Sequence, residues 1–65
     1  MQILVNGEAV VTAARNLAEL CADLGFGEAK IATAVNGTFV AATKRERTTL
    51  TPKDEVEIVA PRQGG

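Results

Sequence analysis

The 65-residue sequence contains no His, Trp, Tyr or Ser, and only one Cys. Without His and Ser, the chain cannot contain a Ser-His-Asp triad, a His general base or a His-ligated metal. The lone thiol, Cys21, can form neither an internal disulfide nor a thiolate-rich zinc site. The missing residue types argue against a self-contained enzyme, and we expect no catalytic side chain, bound metal or bound cofactor.

The charge and hydropathy patterns exclude further classes. The formal net charge is -1, so we expect no nucleic-acid partner held by phosphate neutralisation. No stretch approaches the roughly 20 apolar residues of a membrane span, and the N-terminus does not resemble a secretory signal. A lone thiol without an export signal fits the cytoplasm. Eleven of the hydrophobic residues are Ala, which leaves little material for a deep substrate pocket.

Two Asn-Gly pairs predict β-hairpins. Asn6-Gly7 separates residues 1–5 from residues 9–12, and Asn36-Gly37 separates residues 31–35 from residues 38–40. Asn and Gly tolerate the positive φ angles of a type I′ turn, whose twist matches the flanking strands.

The alternation of residue types predicts which face of each hairpin is buried. In residues 1–5, one face carries Met1, Ile3 and Val5, and the other carries Gln2 and Leu4. The phase of residues 31–35 stays open, since Ala32 and Ala34 suit the core as well as Ile31 and Val35 do.

One helix is predicted between the hairpins, from residue 16 or 17 to residue 24. Its apolar stripe, at helical spacing, consists of Leu17, Leu20, Cys21 and Leu24. Asn16 is the predicted N-cap, and Glu19 would reach back to complete a capping box. Gly25 is expected to close the helix in a left-handed conformation, with Phe26 contacting Cys21 across the last turn. Cys21 is therefore interpreted as a buried core residue.

After residue 41 the pattern weakens until a last strand. Residues 44–47 predict a solvated polar turn, although Lys44, Arg45 and Arg47 could also form a basic patch. Leu50 is a predicted core anchor, and residues 52–54 predict a turn. In the last strand, the predicted inward residues are Val56, Ile58 and Ala60, and the outward ones are Glu57 and Val59. Pro61 would end the strand.

The order strand–strand–helix–strand–strand–strand predicts an α+β, β-grasp (ubiquitin-like) fold. Its mixed five-stranded sheet, two hairpins plus a final strand, packs on one helix, and the final strand lies parallel to the first. Residues 1–60 are the predicted domain, and residues 61–65 are a predicted flexible tail that ends in Gly64-Gly65. Glycine, which lacks a Cβ, would let such an end thread a narrow channel in a partner.

The chain resembles the ThiS family, the small sulfur carriers of thiamine (thiazole) biosynthesis. The resemblance covers essentially the whole length. It is carried by Met1-Gln2-Ile3, Val5-Asn6-Gly7, Leu17-Ala18-Glu19-Leu20, Ala34-Val35-Asn36-Gly37, Asp54-Glu55-Val56-Glu57-Ile58-Val59 and Gln63-Gly64-Gly65. Many family members have Gly-Asp before the last strand, where this chain has Lys53-Asp54. A left-handed residue there would cost roughly 1 kcal/mol more as Lys than as Gly. The family's Pro-Arg-Ser and Trp after the fourth strand are replaced by Ala41-Ala42-Thr43 and a basic run.

The resemblance implies a co-substrate, not an enzyme. The Gly65 carboxylate would be adenylated by a ThiF-like adenylating enzyme, which uses ATP. A cysteine-desulfurase or persulfide sulfur source would then convert it to a thiocarboxylate, which donates sulfur at a ThiG-like thiazole synthase. Gly64 and Gln63 would be the threading part of the tail, and the carrier itself would be a monomer.

Three residues are candidates for a partner interface. Leu4 and Val59 are predicted to point away from the helix, where they are either ordinary exposed apolar residues or, if adjacent, an apolar patch for a partner. Arg62 could pair with an acidic groove or could simply aid solubility.

Three alternatives to the thiamine carrier stay open. They are a sulfur carrier for molybdopterin or another pathway, a ubiquitin-like modifier, and a plain β-grasp interaction module without C-terminal chemistry.

Overall fold

A computed structural model describes residues 1–27 and 30–60 of the chain. The strands are β1 (Gln2–Val5), β2 (Glu8–Val11), β3 (Ala32–Val35), β4 (Thr38–Val40) and β5 (Glu55–Val59), and α1 (Leu17–Asp23) follows β2. They form one mixed sheet in the order β2-β1-β5-β3-β4. The central strand β5 runs parallel to β1 and antiparallel to β3. The predicted topology, including the parallel pairing of the first and last strands, is confirmed.

Both predicted hairpins form around their Asn-Gly pairs. The φ angles are 51° at Asn6 and 86° at Gly7, and 51° at Asn36 and 83° at Gly37. Positive φ at both central residues is the requirement of a type I′ turn, and Asn and Gly meet it at low steric cost.

The core lies between one face of the sheet and α1. Its buried hydrophobic members are Ile3, Ala14, Leu17, Leu20, Cys21, Val40, Leu50, Val56 and Ile58. The predicted inward face of β1 is confirmed, and so is the anchoring role of Leu50. Around β3, Ile31 and Val35 pack against the core and Ala32 is exposed, which resolves the phase that the sequence left open. Between them Thr33 is buried, and its hydroxyl donates to the Val40 carbonyl at 2.8 Å.

The helix begins and ends as predicted in type, with one difference in its capping hydrogen bonds. The Asn16 side chain accepts a hydrogen bond from the Glu19 N–H at 2.8 Å, but the Glu19 carboxylate accepts from the N–H of Arg15, not from that of Asn16. At the other end, Gly25 has φ 91° and the Phe26 N–H donates to the Cys21 carbonyl at 2.8 Å, as in a Schellman motif.

Two residues that the patterns assigned to the core lie outside it. The helix ends at Asp23, so Leu24 no longer continues the buried stripe of the helix and is 38% exposed. The left-handed residue Gly25 follows it and turns the chain away. Ala60 is exposed because β5 ends at Val59, one residue before it. Both corrections concern the ends of elements, where a periodic pattern carries least information.

The predicted solvated polar turn at residues 44–47 is confirmed in the exposure of Lys44, Glu46 and Arg47, but it is wrong in its local structure and for Arg45. Residues Ala42–Arg47 form a 3₁₀ helix that contacts α1. Its Arg45 side chain reaches back to β3, where Nε donates to Thr33 Oγ1 at 3.0 Å and Nη2 donates to the Ile31 carbonyl at 2.7 Å. Arg45 is thus a structural residue, which the charge pattern of the run did not indicate.

Within the described residues no helix is long and apolar enough to cross a membrane.

The turn before β5 keeps a left-handed residue at Lys53, with φ 72°. We expect Lys53→Gly to raise the free energy of unfolding by about 1 kcal/mol, because glycine adopts the left-handed conformation without strain. The larger loss of chain entropy on folding of glycine offsets part of this gain. Urea denaturation monitored by circular dichroism measures the change. The control, Lys53→Ala, retains the strain and should not gain stability. A Lys53→Gly protein no more stable than wild type would contradict the expectation.

Candidate functional site

The predicted attachment residue Gly65, the threading residues Gly64 and Gln63, and the predicted interface residue Arg62 lie outside the described residues. The described part of the candidate site is therefore the segment that leads into them. That segment is the end of β5, together with Ala60 and the surface around it.

The side chains of both hairpin asparagines bond to β5. Asn6 Nδ2 donates to the Ile58 carbonyl at 3.0 Å, and its Oδ1 accepts from the Ile58 N–H at 2.9 Å. Asn36 Oδ1 accepts from the Glu55 N–H at 2.9 Å, and its Nδ2 donates to Asp54 Oδ1 at 3.0 Å. Each Asn-Gly turn thus stabilises one end of the central strand. The sequence predicted both turns but gave no signal for these contacts, since the partners lie 52 and 18 to 19 residues away.

Asp54 is the centre of a small polar cluster at the start of β5. Its carboxylate accepts from the Thr51 N–H at 2.8 Å, from the Thr51 hydroxyl at 2.9 Å and from Asn36. The hydrogen bond from the Thr51 backbone, followed by that from the Asn36 side chain, holds the pKa of Asp54 below its usual value. The cluster therefore stabilises the fold while the carboxylate is ionised.

The sheet face opposite α1 carries an apolar patch that we call the Phe39 patch, made of Ala32, Ala34, Phe39 and Val59. Phe39 is 69% exposed and Val59 is 62% exposed. Ala34 lies opposite Phe39 on β4, and Ala32 lies opposite Val59 on β5. The patch is continuous across three neighbouring strands and reaches the last residue of β5. Exposed aromatic side chains of this kind are enriched in binding surfaces.

Leu4 lies apart from this patch. It is half-buried and opposes Glu55 across the parallel β1–β5 pair, so Val59 is four residues further along β5. At about 3.3 Å per residue, that separation is roughly 13 Å. The exposed Glu57 lies between them on the same face. The condition under which Leu4 and Val59 would form one patch is not met. The direct neighbour of Val59 on this face is Ala32, and Phe39 joins the patch through Ala34. The sequence around Phe39 did not indicate which residue of a neighbouring strand would lie opposite it.

Cys21 is buried in the core, as predicted. Burial raises the pKa of its thiol above the ordinary value, and the positive charge of Arg45 lowers it by a smaller amount. A thiol held in its protonated form is a poor nucleophile, which agrees with the interpretation of Cys21 as a core residue. In the described part of the chain there is no group of three or more His, Cys, Asp or Glu that could hold a metal ion.

A comparison with protein families matches residues 2–65 of the chain to the ThiS family. The chain belongs to the ThiS family. The match extends through Gly64 and Gly65, which the structural description does not reach.

Among solved structures, the chain is similar to a crystal structure of the thiamine biosynthesis protein ThiS from Geobacter metallireducens. The TM-score is 0.83 at 26% sequence identity, and the alignment covers 100% of both chains. A comparison with curated proteins gives no match. The family and the fold predicted from the sequence are both confirmed.

The polar cluster generates a pH prediction. The lowered pKa of Asp54 means that its contribution to stability is present above the unfolded value of about 3.9 and is lost as the pH falls through the folded value. We expect Asp54→Asn to be less stable than wild type at neutral pH, with the difference shrinking as the pH falls below the unfolded value of about 3.9. Urea denaturation from neutral to acidic pH measures it. Glu57→Gln, which replaces an exposed carboxylate on the same strand, is the control. A constant difference at every pH would exclude the role of ionised Asp54.

Proposed function

We propose that the protein is a sulfur carrier of thiamine biosynthesis. The observation that carries the proposal is the family match, which covers the chain from residue 2 through Gly65. The likeness to the ThiS protein of Geobacter metallireducens over the full length of both chains supports it. The carrier acts as a co-substrate, and its reactive group is the Gly65 carboxylate.

The chemistry needs activation because a carboxylate is a poor electrophile. A C-terminal carboxyl has a pKa of about 3.3–3.7, so it is ionised at neutral pH. An oxygen of the Gly65 carboxylate attacks the α-phosphorus of ATP, which forms an acyl adenylate and releases pyrophosphate. A persulfide sulfur then attacks the acyl carbon, AMP leaves, and a thiol reduces the resulting acyl disulfide to the thiocarboxylate. This thiocarboxylate donates its sulfur to the forming thiazole.

The partner enzymes supply everything that the chain lacks. A ThiF-like adenylating enzyme provides the ATP site, a cysteine desulfurase or another persulfide source provides sulfur, and a ThiG-like thiazole synthase accepts it. The carrier needs only a stable folded domain that the partner can bind and a C-terminal segment without bulky side chains. Gly64, Gln63 and Arg62 form the segment that enters the partner, where glycine allows the backbone to pass through a narrow channel.

The Phe39 patch is the surface that we assign to the adenylating enzyme. Val59 belongs to the patch and is also the last residue of β5, so a partner seated there lies beside the point at which the chain continues towards Gly65. The patch combines an exposed aromatic ring with small Ala side chains, an arrangement that lets a partner pack closely against the sheet. Leu4 lies beyond Glu57 and would contact the rim of such an interface.

The carrier chemistry predicts a change in mass. We expect incubation with the adenylating enzyme, ATP and a persulfide source to replace one oxygen of the protein by sulfur, with ATP alone giving the adenylate. Intact-protein mass spectrometry measures both. A chain without Gly65 keeps a carboxylate and the whole sheet but is one residue shorter, and should remain unmodified. If the full chain shows neither product, or the shortened chain reacts equally, the proposal fails. Restoration of growth without thiazole in a carrier-deficient strain then separates thiamine from another sulfur acceptor.

The docking assignment predicts which exposed residue matters. We expect Phe39→Ala to weaken binding to the adenylating enzyme by about tenfold or more, because an aromatic side chain near the centre of an interface commonly carries that much binding energy. Isothermal titration calorimetry measures the affinity. Val11→Ala is the control. Val11 is 81% exposed, but it lies on β2, at the edge of the sheet furthest from the β4 strand that carries Phe39. Equal affinities for the two variants would show that the enzyme binds elsewhere.

A further inference from the structure

The central strand extends beyond its parallel neighbour. The β1–β5 pairing ends with Val5 opposite Val56, after which the chain turns away at Asn6-Gly7. On its other side, β5 stays paired with β3 as far as Val59, which lies opposite Ala32. Beyond Val56, then, the last part of β5 has a backbone strand on one side only.

The Asn6 side chain takes the place of the missing strand. Two carbonyls on the side of the chain that faces β1 accept hydrogen bonds from β1 and its turn. The carbonyl of Asp54, just before β5, accepts from the Leu4 N–H at 2.9 Å, and that of Val56 accepts from the Asn6 N–H at 2.8 Å. The next carbonyl in this alternation, that of Ile58, accepts from Asn6 Nδ2, while the Ile58 N–H donates to Asn6 Oδ1. A side-chain amide carries a donor and an acceptor, as a peptide group does, and so continues the ladder by one step.

This contact lies close to the reactive end of the chain. Ile58 precedes Ala60 by two residues and Gly65 by seven. The five residues 61–65 can span at most about 18 Å when fully extended. The position and direction of the backbone at Ala60 therefore limit where the Gly65 carboxylate can arrive once a partner has bound the Phe39 patch.

We propose that Asn6 is a positioning residue for the carrier reaction: its amide holds the end of β5 from the β1 side and thereby sets the position and direction of the backbone at Ala60. The inference rests on the proposed function, since it concerns delivery of Gly65 to the adenylating enzyme. Asn6 itself touches neither ATP nor the reacting atoms. Its effect is to order the backbone at the end of β5 before the partner binds, so that less ordering of these residues is left to occur on binding.

The second Asn-Gly turn provides a matched control. Asn36 has the same φ of 51°, precedes a glycine, is exposed and makes two hydrogen bonds through its side chain, but it holds the start of β5. Glycine adopts this backbone conformation without strain, so Asn6→Gly and Asn36→Gly each preserve the turn and remove one pair of hydrogen bonds. The two variants differ in which end of the strand they release.

The test measures steady-state adenylation by the ThiF-like enzyme, as pyrophosphate release at varied carrier concentration. Ordering the backbone of one residue changes an equilibrium by about tenfold. We expect Asn6→Gly to raise the KM for the carrier by about that factor with kcat within about twofold, and Asn36→Gly to leave both near wild type.

Amide hydrogen exchange should quicken at Ile58 in the first variant and at Glu55 in the second. Asn6→Asp keeps an acceptor for the Ile58 N–H but turns a second acceptor towards the Ile58 carbonyl, so it should also raise the KM with kcat near wild type, and it guards against misfolding of the glycine variant.

The outcomes separate this inference from the proposed function. If the wild-type chain is adenylated but Asn6→Gly and Asn36→Gly have the same KM, Asn6 is only a stabilising residue and the inference is overturned. It is also overturned if exchange at Ile58 quickens without a change in KM, or if kcat falls with KM unchanged. A wild-type chain that is never adenylated overturns the proposed function and this inference with it.

Discussion

The fold depends on β5, the central strand, which must be paired on both sides over its whole length. Two hairpins that are far apart in the sequence provide the flanking strands, and neither matches β5 from end to end. Buried main-chain groups that lack a partner cost about 1–3 kcal/mol each. The asparagine side chains of the two turns provide the missing hydrogen-bond partners. Asn6 bonds to the backbone near the end of β5, and Asn36 bonds to the backbone at its start. In the described part of the chain no buried side-chain polar atom lacks a partner.

The remaining polar contacts support the same strand from further away. Arg45, in the 3₁₀ helix, bonds to Thr33 and to the Ile31 carbonyl, and Thr33 lies opposite Ile58. At the other end, Asp54 joins Asn36 to the turn before β5. A small core of mostly aliphatic side chains can hold this sheet because polar restraints keep its central strand in register. In the proposed carrier, that rigidity gives the reactive end of the chain a defined starting point.

Much of the fold and part of the site could be predicted from local patterns. The Asn-Gly pairs, the stripe members Leu17, Leu20 and Cys21, and the alternation at Val56 and Ile58 are short-range signals, and all were confirmed. Leu24 and Ala60 were misplaced because periodicity does not say where an element ends. The family could also be named from the order of its motifs. Arg45 was misread because a charged residue in a polar run gives no hint of a carbonyl that lies fourteen residues earlier.

The sequence by itself determined the five strands, the helix α1, the topology and the family, because these follow from residue chemistry over a few neighbours and from the order of motifs along the chain. Only the tertiary structure decided which residues share a surface and which side chains hold the central strand. The register between strands brings Phe39 to the patch that contains Val59, and sets Leu4 apart from it. The same register carries the Asn6 amide to Ile58, across 52 positions of sequence. Such contacts depend on the packed sheet as a whole, and no local pattern encodes them.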